Sequence, residues 1–155
     1  MSFQVHPIHR SEFEPYFGAD EAVLAKAGIR RVRVDTSPGF PCRVSLRDAV
    51  IGESVLLLNY THQPEETPYR ASHAIFVIEG AEEAQPKPDD VPPVLQSRLI
   101  SLRAFNAAHD MVDADVMDGR ELSTAIERYF EQPDIAYLHA HNAKPGCFAA
   151  RIERA

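Results

Sequence analysis

The alternation of apolar and polar residues predicts a chain built mainly of β-strands. From Arg30 onward, Val32 and Val34 alternate with charged residues, which is typical of a half-buried strand. Residues 54–60 are apolar on both faces and predict a strand in the middle of a sheet. Similar runs predict further strands over residues 74–78, 98–105, 111–117, 135–141 and 147–154, while the polar residues 61–72 predict a long loop.

Helical periodicity is confined to two regions. The clearer one has apolar residues at the i, i+3, i+4, i+7 and i+8 positions of one helix face: Leu122, Ala125, Ile126, Tyr129 and Phe130. Near the beginning, Ser11 and Glu14 have the spacing of a capping box, and a short helix is predicted over residues 21–27. Gly28 then supplies the left-handed residue with which many helices end.

The order of these elements indicates an α+β fold rather than a parallel α/β fold. There are too few strand–helix–strand crossovers for a parallel sheet, so we expect a mainly antiparallel sheet with two or three helices packed on it. At 155 residues the chain has the usual size of one domain, and residues 1–155 are predicted to form a single domain. The proline-rich residues 84–93 are interpreted as an exposed connection, because neither side alone has enough elements to close a core.

Composition narrows the classes of partner and compartment. The formal charge is −7, so we expect no nucleic-acid partner, which would require a cationic surface. The longest apolar run covers only residues 55–58, which predicts no membrane partner. Two cysteines and an N-terminus without the pattern of a signal peptide predict a cytoplasmic location with reduced thiols. The oligomeric state is not predicted.

Several separated segments resemble a known bacterial family. They are residues 39–49 (GFPCRVSLRDA), 52–60 (GESVLLLNY), 68–70 (PYR), 75–77 (IFV), 139–143 (HAHNA) and 146–152 (GCFAARI). In this order they are similar to the family named domain of unknown function 1203. Family members have about this length. The resemblance implies no activity, because none is assigned to that family.

The C-terminal hairpin carries the first candidate site. If residues 142–146 form the turn, His141 lies opposite Cys147 and His139 lies opposite Ala149. Alternation then places His139, His141 and Cys147 on one face and Phe148 on the opposite, apolar face. An imidazole beside a thiol can activate a nucleophile, so the three residues are the candidates for catalysis. The alternative is that Cys147 is a buried, inert side chain.

The same residues are considered as metal ligands. Thiolate and imidazole together are ligands for zinc, and Cys42 is a candidate for a fourth ligand. However, neither cysteine has a closely spaced partner of the Cys-x-x-Cys kind, so no metal is predicted. If a metal is bound, the candidate ligands are Cys42, His139, His141 and Cys147. No cofactor is indicated.

A second candidate site consists of arginine and tyrosine residues in two irregular segments. Arginine presents a fork of donors that suits carboxylate or phosphate, so the segments are predicted to bind a small anionic ligand or a protein partner through Arg43, Arg47, Tyr69 and Arg70. The alternative, which we favour for Arg43 and Arg47, is that they pair with Asp48 or Glu53 and hold the loop. A binding protein is thus the first hypothesis, and an enzyme or metalloprotein using the hairpin residues is the second. The sequence does not decide whether a reaction is catalysed.

Overall fold

A computed structural model describes residues 2–155 and shows two antiparallel sheets and three α-helices. The predicted α+β class, with sheet as the main component, is confirmed. Within the described residues, no helix is both long enough and apolar enough to cross a membrane. The chain separates into two compact units, the first of residues 2–6, 61–73 and 85–155, and the second of residues 7–60 and 74–84.

The first unit contains the larger sheet. Its five strands lie in the order β1-β8-β7-β5-β6 and have the bounds Phe3–His6 (β1), Leu99–Phe105 (β5), Met111–Asp118 (β6), Tyr137–Asn142 (β7) and Phe148–Arg154 (β8). Strand β7 is in the middle, and all six of its residues are buried. The helices of this unit are Pro93–Gln96 (α2) and Leu122–Phe130 (α3). Strand β1 and helix α2 were not predicted from the sequence.

Helix α3 and one face of this sheet supply the core of the first unit. The predicted helix face is confirmed, since all five of its apolar residues are buried. On the sheet, the buried apolar residues alternate along the strands, as at Ile100, Leu102 and Ala104 of β5 and at Leu138 and Ala140 of β7. The other face of β7 carries Tyr137, His139 and His141, which are also buried. A central strand with both faces covered therefore places polar side chains away from solvent.

The smaller sheet has three strands in the order β2-β3-β4. Their bounds are Arg30–Arg33 (β2), Ser54–Gln63 (β3) and Ala71–Ile78 (β4), and the helix Glu21–Lys26 (α1) precedes them. Gly28 adopts a φ of 73° after α1, as the predicted helix end requires. Near Ser11 the structure has two short 3₁₀ turns, Arg10–Glu12 and Glu14–Tyr16, because Pro15 cannot continue a longer helix.

The predicted loop over residues 61–72 is too long. Strand β3 continues to Gln63 and β4 begins at Ala71, so only residues 64–70 connect them. Tyr60 and Thr61 have a strong preference for strands, and Pro64 is the first residue that interrupts the run. The extension puts His62 on a strand.

Candidate metal centre

The candidate centre lies on the polar face of the larger sheet, around strand β7. His139 is paired with Arg103 on β5 and with Arg151 on β8. His141 is paired with Ser101 on β5 and with Phe148 on β8. Directly paired residues of antiparallel strands point to the same face, so these side chains form one continuous surface.

The register predicted for the C-terminal hairpin is wrong. Phe148, and not Cys147, lies opposite His141, so the turn is one residue longer than predicted, and the pairing shifts by a further residue between Ala140 and His141. Ala149 is the extra residue of this β-bulge, and the longer turn and the bulge together place His139 opposite Arg151 instead of Ala149. A bulge moves every later residue to the other face of its strand, and a simple alternation of sequence positions does not reveal it.

The longer turn changes the surroundings of Cys147 and Phe148. The side-chain amide of Asn142 donates to the Cys147 sulfur over 3.6 Å, and Asn142 follows His141, so its side chain points to the opposite face. Phe148 instead contacts the imidazoles: its ring lies 5.1 Å from that of His139 and 5.7 Å from that of His141, both edge to face. The predicted face shared by His139, His141 and Cys147 is therefore wrong for the cysteine. A catalytic role of these residues stays a prediction.

His62 joins the two predicted histidines. Its ring is stacked on Phe148 with 5.4 Å between the ring centroids and an angle of 3° between the planes. The centroid of the His141 ring is 4.8 Å away and that of His139 is 6.1 Å away. Sequence reasoning missed His62 because it placed the residue in a loop. The strand-forming residues before it were the signal that could have found it.

Nitrogen atoms of the three imidazoles converge. One ring nitrogen of each of His62, His139 and His141 lies within 4.8 Å of the corresponding atoms of the other two, and this is the group of three metal-ligand side chains found in residues 2–155. Each ring also has a buried nitrogen with no hydrogen-bond partner: Nδ1 of His62, Nδ1 of His139 and Nε2 of His141. Buried polar atoms are nearly always satisfied, so three orphans together need an explanation.

A hydrogen bond fixes the tautomer of one ring. Nδ1 of His141 lies 3.0 Å from the carbonyl oxygen of Gly146. A carbonyl oxygen only accepts, so Nδ1 carries the proton and the buried Nε2 has a free lone pair. Ligating histidines commonly donate their second ring nitrogen to a backbone carbonyl in this way.

The three imidazoles are neutral at pH 7. Burial lowers the pKa of His62 to about 4, that of His141 to about 3 and that of His139 to about 2. The nearby guanidinium of Arg103 lowers all three pKa values further. A neutral imidazole is the form that ligates a metal.

Two arginines border the imidazoles. Arg103 is half-buried, and its Nε donates to Oγ of Ser101 over 3.4 Å. Arg151 lies over the ring of Tyr137, with its guanidinium carbon 3.8 Å from the centroid, and its Nε donates to Glu153 over 3.0 Å. Arg151 thus has a carboxylate neighbour, whereas the hydrogen-bond partner of Arg103 is a neutral hydroxyl.

A polar chain holds the aromatic residue beside His139. The side-chain amide of Gln63 donates to the hydroxyl of Tyr137 over 2.9 Å, and Nδ1 of His109 lies 2.8 Å from the same oxygen. The other ring nitrogen of His109 is 3.8 Å from a carboxylate oxygen of Glu65. The Tyr137 ring is 5.3 Å from that of His139, so this chain positions a neighbour of the imidazole cluster.

The residues predicted to bind an anion are divided between the two units. In the second unit Arg47 donates to both carboxylate oxygens of Glu53 over 2.8 Å, as the favoured alternative expected. Arg43 is 2% exposed and donates to the carbonyl oxygen of Pro41 over 2.6 Å. In the first unit, Tyr69 and Arg70 are exposed. Anion binding by these four residues stays a prediction.

Cys42 belongs to the second unit and is buried there. Its sulfur accepts hydrogen bonds from the backbone N–H of Ser45 over 3.4 Å and from that of Ile78 over 3.3 Å. These contacts tie the loop after Phe40 to strand β4. They give the cysteine a structural role, and its place among the candidate metal ligands stays a hypothesis.

The two antiparallel sheets and the cluster of buried imidazoles define an α+β protein with a candidate metal centre on a sheet face. More particularly, the chain belongs to the family described as "Protein of unknown function (DUF1203)", whose model matches residues 39–154. The matched range contains His62, Arg103, His139 and His141. Neither the curated proteins nor the solved structures gave a match to the chain.

Proposed function

We propose that this protein binds a divalent transition-metal ion through His62, His139 and His141. The observations that carry the proposal are the convergence of one ring nitrogen from each of the three histidines and the presence, in each ring, of a buried nitrogen without a hydrogen-bond partner. An unsatisfied buried polar atom destabilises a protein by about 1–3 kcal/mol. A cation that is coordinated by all three rings supplies the missing partner and so removes this destabilisation.

The ligand type favours particular metals. Imidazole suits zinc, copper, iron and nickel, whereas magnesium and calcium prefer oxygen ligands. Three histidines with an open fourth position form the kind of ligand set found in catalytic zinc sites, in which the remaining position takes water or substrate. The neutral state of the rings supports the proposal, because no proton has to be displaced before the metal binds.

The geometry is compatible with this metal after a small closure. Zinc–nitrogen bonds of about 2.0–2.1 Å in a tetrahedral site place the nitrogens roughly 3.3 Å apart. The present separations are within 4.8 Å, so the nitrogens must approach one another by at most about 1.5 Å, a change that side-chain rotation provides. His62 is the half-buried member of the three.

The proposal changes the ligand set inferred from the sequence. The sequence predicted no metal because the cysteines lacked a nearby pair, and the candidate set it offered contained two thiols. The three-histidine set needs neither cysteine. His139 and His141 remain, and His62 is added.

Metal titration of protein prepared without a polyhistidine tag tests the proposal. After treatment with a chelator, Zn²⁺ or Co²⁺ is added and binding is followed by calorimetry, with the metal content measured by elemental analysis. We expect one ion per chain and a rise in the unfolding temperature, since a ligand at 100 times its Kd stabilises a protein by about 2.7 kcal/mol.

The variants His139→Ala and His62→Gln should each weaken metal binding at least about tenfold, the effect expected when a ligand or a group that orients one is removed. His9→Gln is the matched control, because His9 is exposed and lies beside Glu83 instead of other histidines. His62→Gln keeps the test decisive if His139→Ala fails to fold. Binding that is absent, or that is equally strong in His62→Gln, would contradict the proposal.

The cytoplasmic location is also proposed. It is supported by the composition, since the chain has only two cysteines and a secreted domain held together by disulfides usually has more. Fractionation of cells that produce the protein, with detection by an antibody, measures it directly.

A further inference from the structure

We propose that the open position of the three-histidine centre takes a small oxyanion, and that Arg103 is the residue that recognises it. This inference rests on the proposed function, because the anion is bound partly by the metal. The ligands in question are small molecules or ions that present carboxylate or phosphate oxygens.

The placement of Arg103 is the first argument. It is the direct cross-strand neighbour of His139, so both side chains stand on the same sheet face with their Cβ atoms roughly 5 Å apart. The long arginine side chain can therefore bring its guanidinium to the open side of the cluster. Ser101 is paired with His141, and its hydroxyl accepts a hydrogen bond from Nε of Arg103 over 3.4 Å. The two terminal nitrogens of the guanidinium are then available to donate to another group.

The charge of Arg103 is the second argument. Within residues 2–155 no carboxylate lies within ion-pair distance of this guanidinium, although it is half-buried. A buried cation without a counter-ion is unfavourable, and such groups are usually paired. The other arginine on this face, Arg151, already has Glu153 as its neighbour. Arg103 is thus a half-buried cation that has no carboxylate counter-ion among the described residues.

The ligand set is the third argument. Three neutral imidazoles leave the full charge of a divalent ion uncompensated, and Arg103 adds a further positive charge beside it. Two glutamates that belong to the polar network around Tyr137 are engaged with other residues, Glu153 with Arg151 and Glu65 with His109. An exogenous anion bridging the metal and the guanidinium offsets part of the charge of both. An oxyanion suits this arrangement because one oxygen can ligate the metal while another accepts from the planar fork.

The test uses the Co²⁺-loaded protein, because the visible absorption of bound Co²⁺ changes when its fourth ligand changes. Sodium acetate and sodium phosphate are titrated separately at constant ionic strength in a weakly coordinating salt. We expect a saturable spectral change with at least one of the two. Acetate would identify carboxylates as the ligand class, and phosphate alone would identify phosphate compounds.

The variants assign the recognition to Arg103. Arg103→Gln should weaken anion binding at least about tenfold while its affinity for Co²⁺ is retained, because one charge-assisted bond is lost. Arg103→Lys keeps the charge but not the planar guanidinium, so it should have an intermediate effect. It replaces Arg103→Gln in the test if that variant does not fold. Arg120→Gln is the control, since Arg120 is exposed and paired with Asp118.

The outcomes separate the two proposals. A protein that loads Co²⁺ but shows no anion-dependent spectrum, or the same anion affinity in Arg103→Gln, overturns the anion site and leaves the metal centre standing. A protein that does not load Co²⁺ overturns both. An anion effect that depends on both Co²⁺ and Arg103 supports the inference.

Discussion

Individual histidines in this protein differ mainly in what surrounds them. The chain has seven, and two of them, His6 and His9, are exposed beside glutamates, whereas His139 and His141 are 1% exposed. The sequence singled out His139 and His141 through their spacing on one strand. It missed His62, because the residue was placed in a loop and because no local pattern shows which distant strand a side chain will face. Burial, the property that makes the three imidazoles neutral, also depends on the fold.

Glu79 offers a prediction at the same scale. Its carboxylate accepts hydrogen bonds from Arg31 at 2.6 and 3.0 Å, from Ser54 at 2.6 Å and from the backbone of Gly18 at 2.8 Å. The bond from Arg31 is the main reason that the pKa of Glu79 is lowered to about 2 from an ordinary value of 4.5. Since the folded pKa lies below the unfolded one, the ionised carboxylate stabilises the protein above pH 4.5, and the contribution is lost as the pH falls towards 2.

We expect Glu79→Gln to lower the free energy of unfolding by about 1–2 kcal/mol at pH 7, less than the full pKa difference implies because solvent screens a partly exposed pair. The difference from the natural protein should shrink below pH 4.5. Urea unfolding at a series of pH values measures it. Glu66→Gln, at an exposed position, is the control, with an expected change within about 0.5 kcal/mol. A difference that persists unchanged at pH 3 would contradict the ion-pair explanation.

At the scale of elements, the periodic patterns identified strands and helices well but placed their ends and registers less well. Helix α3 was predicted correctly because a single buried face repeats with the helical period. The C-terminal hairpin was predicted as a pair of strands, but its bulge at Ala149 was not. The extra residue depends on how the turn at Gly146, which has a φ of 82°, meets the neighbouring strands. The position of the bulge is therefore a property of the paired strands and not of either segment alone.

The pairing of Phe148 with His141 leads to a prediction about Cys147. Its sulfur is a neighbour of Asn142, on the face opposite His141, so it should not ligate the metal. We expect Cys147→Ala to retain Zn²⁺ affinity within about twofold and to lose roughly 1 kcal/mol of stability, as is common for a small buried truncation. Calorimetric titration of the variant beside the natural protein measures both effects. A loss of affinity of tenfold or more would show that the sulfur reaches the centre and that the register described above is wrong.

At the scale of the whole molecule, the sequence predicted the fold class and one domain. The fold class is confirmed, and the chain is distributed over two compact units. The chain passes from one unit to the other four times, and β3 and β4 each contain residues of both units. No single cut therefore separates the units, which is unlike a pair of domains joined by a linker. The single domain stays a prediction.

We expect the two units to unfold together, because strands shared between them cannot be lost from one unit without affecting the other. Hydrogen exchange measured by mass spectrometry at increasing urea concentrations follows peptides from each unit separately. Peptides containing residues 138–152 and 54–60 should lose protection at the same urea concentration. Two well-separated transitions would show that the units are independent domains and that the prediction of one domain is wrong.

The sequence by itself determined the strand-rich α+β class, the main helix, the acidic charge and two of the three imidazoles, because each of these depends on local periodicity or on composition. Only the tertiary structure decided that His62 joins His139 and His141, that Phe148 replaces Cys147 beside them, and that Arg103 stands next to His139 without a carboxylate. These are relations between strands that are distant in sequence. They follow from register and burial, which exist only once the sheet has formed.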